Sequence, residues 1–187
     1  MYFVTGSWNA LDGKNTLVDT GQDPSILERL ESASAGVGKK RVEQVVLTHC
    51  HYDHTGMLES IRDLYDPVVY AFSPSMKGVS RLRDMQEIKM GDRFFEVIHA
   101  PGHSHDSVLL YNSDEGILFS GDTSFNIHKS TMTIEPEFLA LLQRLCRKDI
   151  RIIYPGHGSP HTKGCNRMIH LSLDRMRRSC IVEESQK

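Results

Sequence analysis

Four side chains that can bind a metal are crowded into the stretch from Thr48 to Gly56, T-H-C-H-Y-D-H-T-G. The β-branched, apolar run that precedes them predicts a buried strand, so these side chains follow a strand end. Alternate side chains of an extended chain point the same way, which predicts that the first two histidines face one side together. Imidazole and carboxylate suit zinc, iron or manganese better than calcium. The four candidate ligands are His49, His51, Asp53 and His54.

Three later candidates share one setting, because each follows an apolar strand and stands beside a glycine. His103 lies on the turn P-G-H, Asp122 ends the run L-F-S-G-D, and His157 lies within P-G-H-G. Each of these residues alone is more typical of a surface turn. Together with the first stretch they make seven potential ligands, which is enough for two ions that share one carboxylate and keep an open position for water.

Taken in order, H-C-H-Y-D-H, P-G-H, G-D-T and P-G-H-G resemble the five-motif signature of the metallo-β-lactamase-fold superfamily. The resemblance runs from the strand end L-V-D-T-G at residues 17–21 to His157 and implies an α/β (α+β) fold, a four-layer αββα sandwich. It also implies the division of the ligands. The first metal is held by His49, His51 and His103, and the second by Asp53, His54 and His157, with Asp122 as the bridge.

The same resemblance implies hydrolysis. The sequence has no Gly-x-Ser-x-Gly motif, and Cys50 is predicted to point away from the neighbouring histidines. The expected nucleophile is therefore hydroxide held by a dinuclear centre, most typically zinc, with iron or manganese as alternatives. Asp53 is expected to act both as a ligand and as the proton acceptor. The expected substrate is a small ester, thioester or lactone, since G-D-T-S-F is similar to the motif of glyoxalase-II-like thioester hydrolases.

Two other functions stay open on the sequence. One is a mononuclear iron dioxygenase that acts on persulfides with the same fold, in which His49, His103 and Asp122 would hold a single iron. The other is a binding or regulatory protein that keeps the fold without turnover. The complete set of candidate ligands favours the hydrolase over both alternatives.

The elements that carry these residues are predicted from hydropathy patterns and turn signals. We expect a hairpin of strands at 2–7 and 16–19. Asp19 fits either a surface turn residue or a partner of a metal-bound histidine, and its position beside Gly21 slightly favours the turn. Expected helices cover residues 24–35, 54–63, 136–147 and 168–176. Further strands are expected at residues 42–48, 68–71, 86–88, 94–98, 107–111, 116–120 and 150–154.

Composition narrows the class of protein. The chain has 187 residues and a net charge of -2 without a basic block, which argues against nucleic-acid binding. We expect one domain over residues 1–187, a small-molecule substrate and no membrane partner.

The scattered cysteines and the absence of a signal-peptide pattern predict a cytoplasmic location. An incomplete sheet edge at the N-terminus would favour a homodimer through sheet pairing. The loop histidines without an assigned role are His105, His128 and His161.

Overall fold

The computed structural model describes residues 1–7, 12–36, 38–73, 76–125 and 136–184, with side chains as far as residue 178. The chain divides into two compact units, Met1–His99 and Ala100–Lys187. The strands fall into two β-sheets, and helices accompany the strands of both units, so the predicted mixed α/β class is confirmed. Whether the 187 residues form one domain stays a prediction.

Unit 1 contains seven strands and three helices among its described residues. In chain order these are β1 (Tyr2–Val4), β2 (Thr16–Val18), α1 (Ser25–Ser32), β3 (Gln44–Val46), α2 (Tyr52–Thr55), α3 (Leu58–Tyr65), β4 (Val68–Ala71), β5 (Ser80–Arg81), β6 (Glu87–Met90) and β7 (Arg93–His99). The described part of unit 2 contains β8 (Val108–Asn112), β9 (Ile117–Gly121), α4 (Pro136–Leu145), β10 (Ile152–Pro155) and α5 (Cys165–Glu184).

The first sheet lies in unit 1 and has the strand order β1-β2-β3-β4-β5. The predicted β1–β2 hairpin is antiparallel, whereas β2, β3, β4 and β5 run parallel. Leu17, Val45 and Val69 lie side by side on neighbouring strands and are at most 3% exposed. Leu30 of α1 and Ile61 of α3 belong to the same apolar core. The parallel order matters for function because the carboxyl ends of β2 and β3 meet at one edge of the sheet.

The hairpin of β6 and β7 packs its turn against the start of unit 1. Gly91 and Lys14 exchange backbone hydrogen bonds of 2.7 Å in both directions. Gly91 has a φ of 60°, and a Cβ at this position would lie 2.7 Å from the carbonyl oxygen of Thr5. Glycine is therefore required both for the backbone conformation and for the close approach.

Unit 2 contains a three-stranded array in which β9 lies between β10 and β8. β8 pairs with β9 antiparallel, and β10 pairs with β9 parallel. Leu142 and Leu145 of α4 and Ile169 of α5 are fully buried. As in unit 1, two parallel strands place the residues that follow them at one sheet edge.

Several elements differ from the sequence prediction, among them β5, which was not predicted, and β1, which ends at Val4 instead of residue 7. The strand expected over residues 42–48 is limited to β3, and the helix expected over residues 54–63 is broken into α2 and α3 around Gly56. The Met57 N–H bonds the Gly21 carbonyl oxygen at 2.9 Å, so a contact with a distant loop replaces a helical bond. α5 begins before and ends after the predicted range of 168–176. None of the helices in the described ranges has the length and apolar character that a membrane crossing requires.

Asp92, at the turn between β6 and β7, provides a test of this packing. Its carboxylate accepts hydrogen bonds from the Ser7 hydroxyl and, at 3.0 Å, from the Ser7 N–H. These bonds, aided by the Arg93 guanidinium, lower the pKa of Asp92 from 3.8 to about 2. Because the pKa is lower in the folded state, the carboxylate stabilises the fold above about pH 4 and loses this effect as the pH falls towards 2.

We expect Asp92→Asn to lower the free energy of unfolding at neutral pH by about 1–2 kcal/mol, because the charge-assisted hydrogen bonds from Ser7 are weakened. Solvent reaches part of the carboxylate and keeps the loss small. The difference between variant and wild type should shrink between about pH 4 and pH 2. Urea denaturation at several pH values measures both effects, with Asp114→Asn as the control on an exposed turn. A difference that stays constant with pH would contradict the role given to Ser7.

Candidate metal centre

The first group of candidate ligands follows β3 in unit 1. His49 is 1% exposed and His54 is 2% exposed, whereas His51 and Asp53 are reached by solvent. The ring centroid of His49 lies 4.6 Å from that of His51 and 4.1 Å from that of His54. The short helix α2 begins directly after His51, so its first turn brings the next two ligand candidates back towards the strand end. The structure thus gathers three imidazoles from six consecutive residues.

Asp53 and His54 present their ligand atoms side by side. Asp53 Oδ2 lies 3.8 Å from His54 Nε2. Zinc binds nitrogen and oxygen ligands at about 2.0–2.2 Å, so two ligands of one tetrahedral ion lie about 3.4 Å apart. A small adjustment of the partly exposed Asp53 side chain would bring the pair to that separation.

Asp19 corrects the sequence prediction, because it is a buried residue and not a surface turn residue. It is 3% exposed, and its Oδ2 accepts a hydrogen bond of 2.8 Å from His54 Nδ1. The N–H and the hydroxyl of Thr48 each donate to the same carboxylate at 2.8 Å. A hydrogen bond from Nδ1 fixes the tautomer of His54 and directs Nε2 towards a ligand role.

The sheet explains why Asp19 reaches His54. Asp19 follows β2 and Thr48 follows β3, and these parallel strands end at the same edge. Asp19 N–H also bonds the Val46 carbonyl oxygen at 3.0 Å, which continues the strand pairing. The φ of Asp19 is 58°, a conformation that aspartate tolerates better than most residues. The signal in the sequence was an aspartate directly after an apolar strand, but burial decided between the two interpretations.

The second group of candidate ligands lies in unit 2. Asp122 Oδ2 is 3.5 Å from His103 Nε2 and 3.4 Å from His157 Nε2. Asp122 follows β9 and His157 follows β10, and the Gly156 N–H bonds the Gly121 carbonyl oxygen at 2.7 Å between these two loops. Each of these two Asp122–histidine separations is close to the distance expected between two ligands of one ion.

The donor chemistry of both groups fits a divalent transition metal. Unit 1 offers three imidazoles and a carboxylate, and unit 2 offers two imidazoles and a carboxylate. Nitrogen-rich sets of this kind favour zinc or iron over calcium or magnesium, which prefer oxygen. Each unit therefore contributes His and Asp side chains that could serve as metal ligands, and the assignment of all seven ligands to two ions stays a prediction.

The other histidines have different settings. His99 stacks on Phe72, with ring centroids 4.1 Å apart. His105 is exposed on the turn between β7 and β8. His161, to which the sequence gave no role, lines a cavity in unit 2 together with His103, Asp122 and His157. His128 lies outside the described residues.

Comparisons with known proteins agree with the motifs. Over 169 residues, the chain is 27% identical to an atrochrysone carboxyl ACP thioesterase of Aspergillus fumigatus, covering 83% of this chain and 40% of that protein. It is 28% identical over 175 residues to the beta-lactamase-like protein 2 homolog of Caenorhabditis elegans, covering 88% and 59%. The chain spans about half the length of the curated relatives it matches.

A solved structure shows the same fold. A metallo-beta-lactamase family protein from Thermus thermophilus superposes with a TM-score of 0.67 at 22% identity, covering 95% of this chain and 74% of that one. The sequence model of the metallo-beta-lactamase superfamily matches residues 2–157. The match extends over most of the chain and includes all four motif stretches, so this chain belongs to the metallo-beta-lactamase superfamily.

Proposed function

We propose that this chain is a metal-dependent hydrolase that cleaves a small thioester, ester or lactone at a dinuclear centre. The observation that carries the proposal is the position of Asp122, whose Oδ2 lies within 3.5 Å of two imidazole nitrogens from different loops. A carboxylate so placed is suited to join two ions. Membership of the superfamily and the donor chemistry of unit 1 support the same function.

In the proposed centre, the seven ligands are divided between two zinc ions as the resemblance implies. The imidazole clusters and the Asp53–His54 spacing of 3.8 Å support this assignment within unit 1. The Asp122 contacts support it within unit 2. One ion is assigned to His49, His51 and His103, the other to Asp53, His54 and His157, and Asp122 is assigned to both.

In the proposed reaction, water adds to the acyl carbon and the carbon–sulfur or carbon–oxygen bond breaks. A thioester or ester releases a carboxylic acid and a thiol or alcohol, and a lactone opens to a single hydroxy acid. When bound, the two ions supply Lewis acidity and lower the pKa of water towards neutrality. Asp53, which solvent can reach, orients the water and takes its proton. That proton then passes to the departing sulfur or oxygen. Asp19 and Thr48 hold His54 in its orientation throughout.

Among the three substrate classes, we propose a thioester. A thiolate is a weaker base than an alkoxide, with a thiol pKa of about 8.5 for free cysteine, so it needs less help from a protein acid to leave. The name of the Aspergillus fumigatus relative is that of a thioesterase and supports the same choice.

Asp122→Ala tests the proposed bridge. We expect the variant to lose bound metal and to lower kcat/KM by about 10²- to 10⁴-fold, because several kcal/mol of transition-state stabilisation are lost with the metal. Elemental analysis of the purified protein and hydrolysis of acyl thioesters measure the two losses together. Asp114→Ala, on an exposed turn, is the matched control and should retain both properties. Full activity in a metal-depleted Asp122→Ala protein would reject the proposal.

Asp19→Asn tests the support of His54. Asparagine keeps the size of the side chain and tolerates the same backbone conformation, but its amide lacks the charge that attracts the imidazole proton. We expect metal affinity, measured by competition with a chelator, to fall about 10- to 100-fold while the circular dichroism spectrum is retained. Unchanged metal affinity in a folded variant would show that the 2.8 Å contact does not tune the ligand.

A further inference from the structure

A cavity in unit 2 is lined by two chemically different kinds of side chain. Its volume is about 320 Å³, at the small end of the range of about 300–1,000 Å³ typical of ligand pockets. His103, Asp122 and His157 form part of its lining, and Phe125, Ile153 and Met168 form another part. A ligand held here would therefore meet both candidate metal ligands and apolar side chains.

The apolar residues of the lining are held in place by burial and by backbone hydrogen bonds. Ile153 lies on β10 and is 1% exposed, and it exchanges backbone hydrogen bonds of 2.9 Å with His161. Phe125 is 5% exposed, and its carbonyl oxygen accepts a hydrogen bond from the buried Ser172 hydroxyl of α5. The same hydroxyl lies 3.0 Å from the carbonyl oxygen of Met168, one turn earlier in that helix. α5 thus fixes the loop after Asp122 and also contributes Met168 to the wall.

We infer that this cavity binds the acyl group of the substrate, and that Phe125 and Met168 limit the length of the acyl chain. The inference rests on the proposed function, because hydrolysis of an acyl thioester needs the carbonyl carbon beside the metal ligands. A small cavity with Phe125, Ile153 and Met168 in its lining suits a short aliphatic acyl group better than the long, polar thiol arm of a carrier. The substrate class is therefore a short-chain aliphatic acyl thioester.

Binding of the product acid tests the inference without turnover. The probes are straight-chain carboxylates from acetate to decanoate, titrated calorimetrically into the zinc-loaded full chain. Each methylene that packs against the apolar lining should tighten binding about fourfold. The gain should stop at the chain length at which the acid reaches Phe125 and Met168. Met168→Ala removes three side-chain atoms beyond Cβ and should move this limit to acids about two or three methylenes longer. Met168→Phe should move it to shorter acids.

Met176→Ala is the matched control, because Met176 is a buried methionine of the same helix that does not contribute to the described lining. It should leave the length limit unchanged. A limit that is the same in wild type, Met168→Phe and Met168→Ala would overturn the inference, as would a wild-type protein that binds none of the acids. The second Met168 variant adds volume instead of removing it, so a folding defect in one variant does not remove the test.

Thioester turnover and zinc content, measured on the same preparations, separate the inference from the proposed function. If the protein hydrolyses thioesters but the Met168 variants bind acids with the wild-type length limit, the acyl pocket is contradicted and the hydrolase is not. A length limit that responds to Met168 in a protein without zinc or turnover contradicts the hydrolase and supports the binding role of the cavity.

Discussion

The hydrogen bond between the buried Asp19 carboxylate and His54 is the interaction on which the first group of ligands depends. Burying a carboxylate is unfavourable unless charge-assisted hydrogen bonds compensate for the lost hydration. Here Thr48 and His54 provide those bonds, at 2.8 Å each. The residue also adopts a backbone conformation that costs about 1–3 kcal/mol in non-glycine residues. A side chain that combines both costs is better explained by the orientation of a ligand than by stability.

Both units position their candidate ligands at the ends of paired parallel strands. Parallel strands end at a common sheet edge, and the residues that follow them are brought together without long loops. In unit 1 the strands are β2 and β3, which carry Asp19 and the His49 stretch. In unit 2 they are β9 and β10, which carry Asp122 and His157. The apolar strand sequences therefore determine where the polar chemistry is placed.

The candidate ligands could be predicted from sequence because their residue types and short spacings are local properties, and the motif order added the fold. Asp19 was misassigned because its burial depends on pairing between strands that are distant in the chain. The break between α2 and α3 was missed for a similar reason, since Met57 bonds the loop at Gly21. The cavity near Met168 depends on packing of α5 against a loop more than forty residues earlier, which no local pattern encodes.

The number of metal ions that the protein binds is the most direct test of the dinuclear centre. Native mass spectrometry of the metal-free chain during titration with zinc gives this number for each protein molecule. For a dinuclear centre we predict saturation at two ions per chain. Saturation with a single ion, or no binding under conditions where the fold is intact, would contradict a dinuclear centre. Preferential binding of one iron, with oxygen uptake on a persulfide, would instead indicate the dioxygenase.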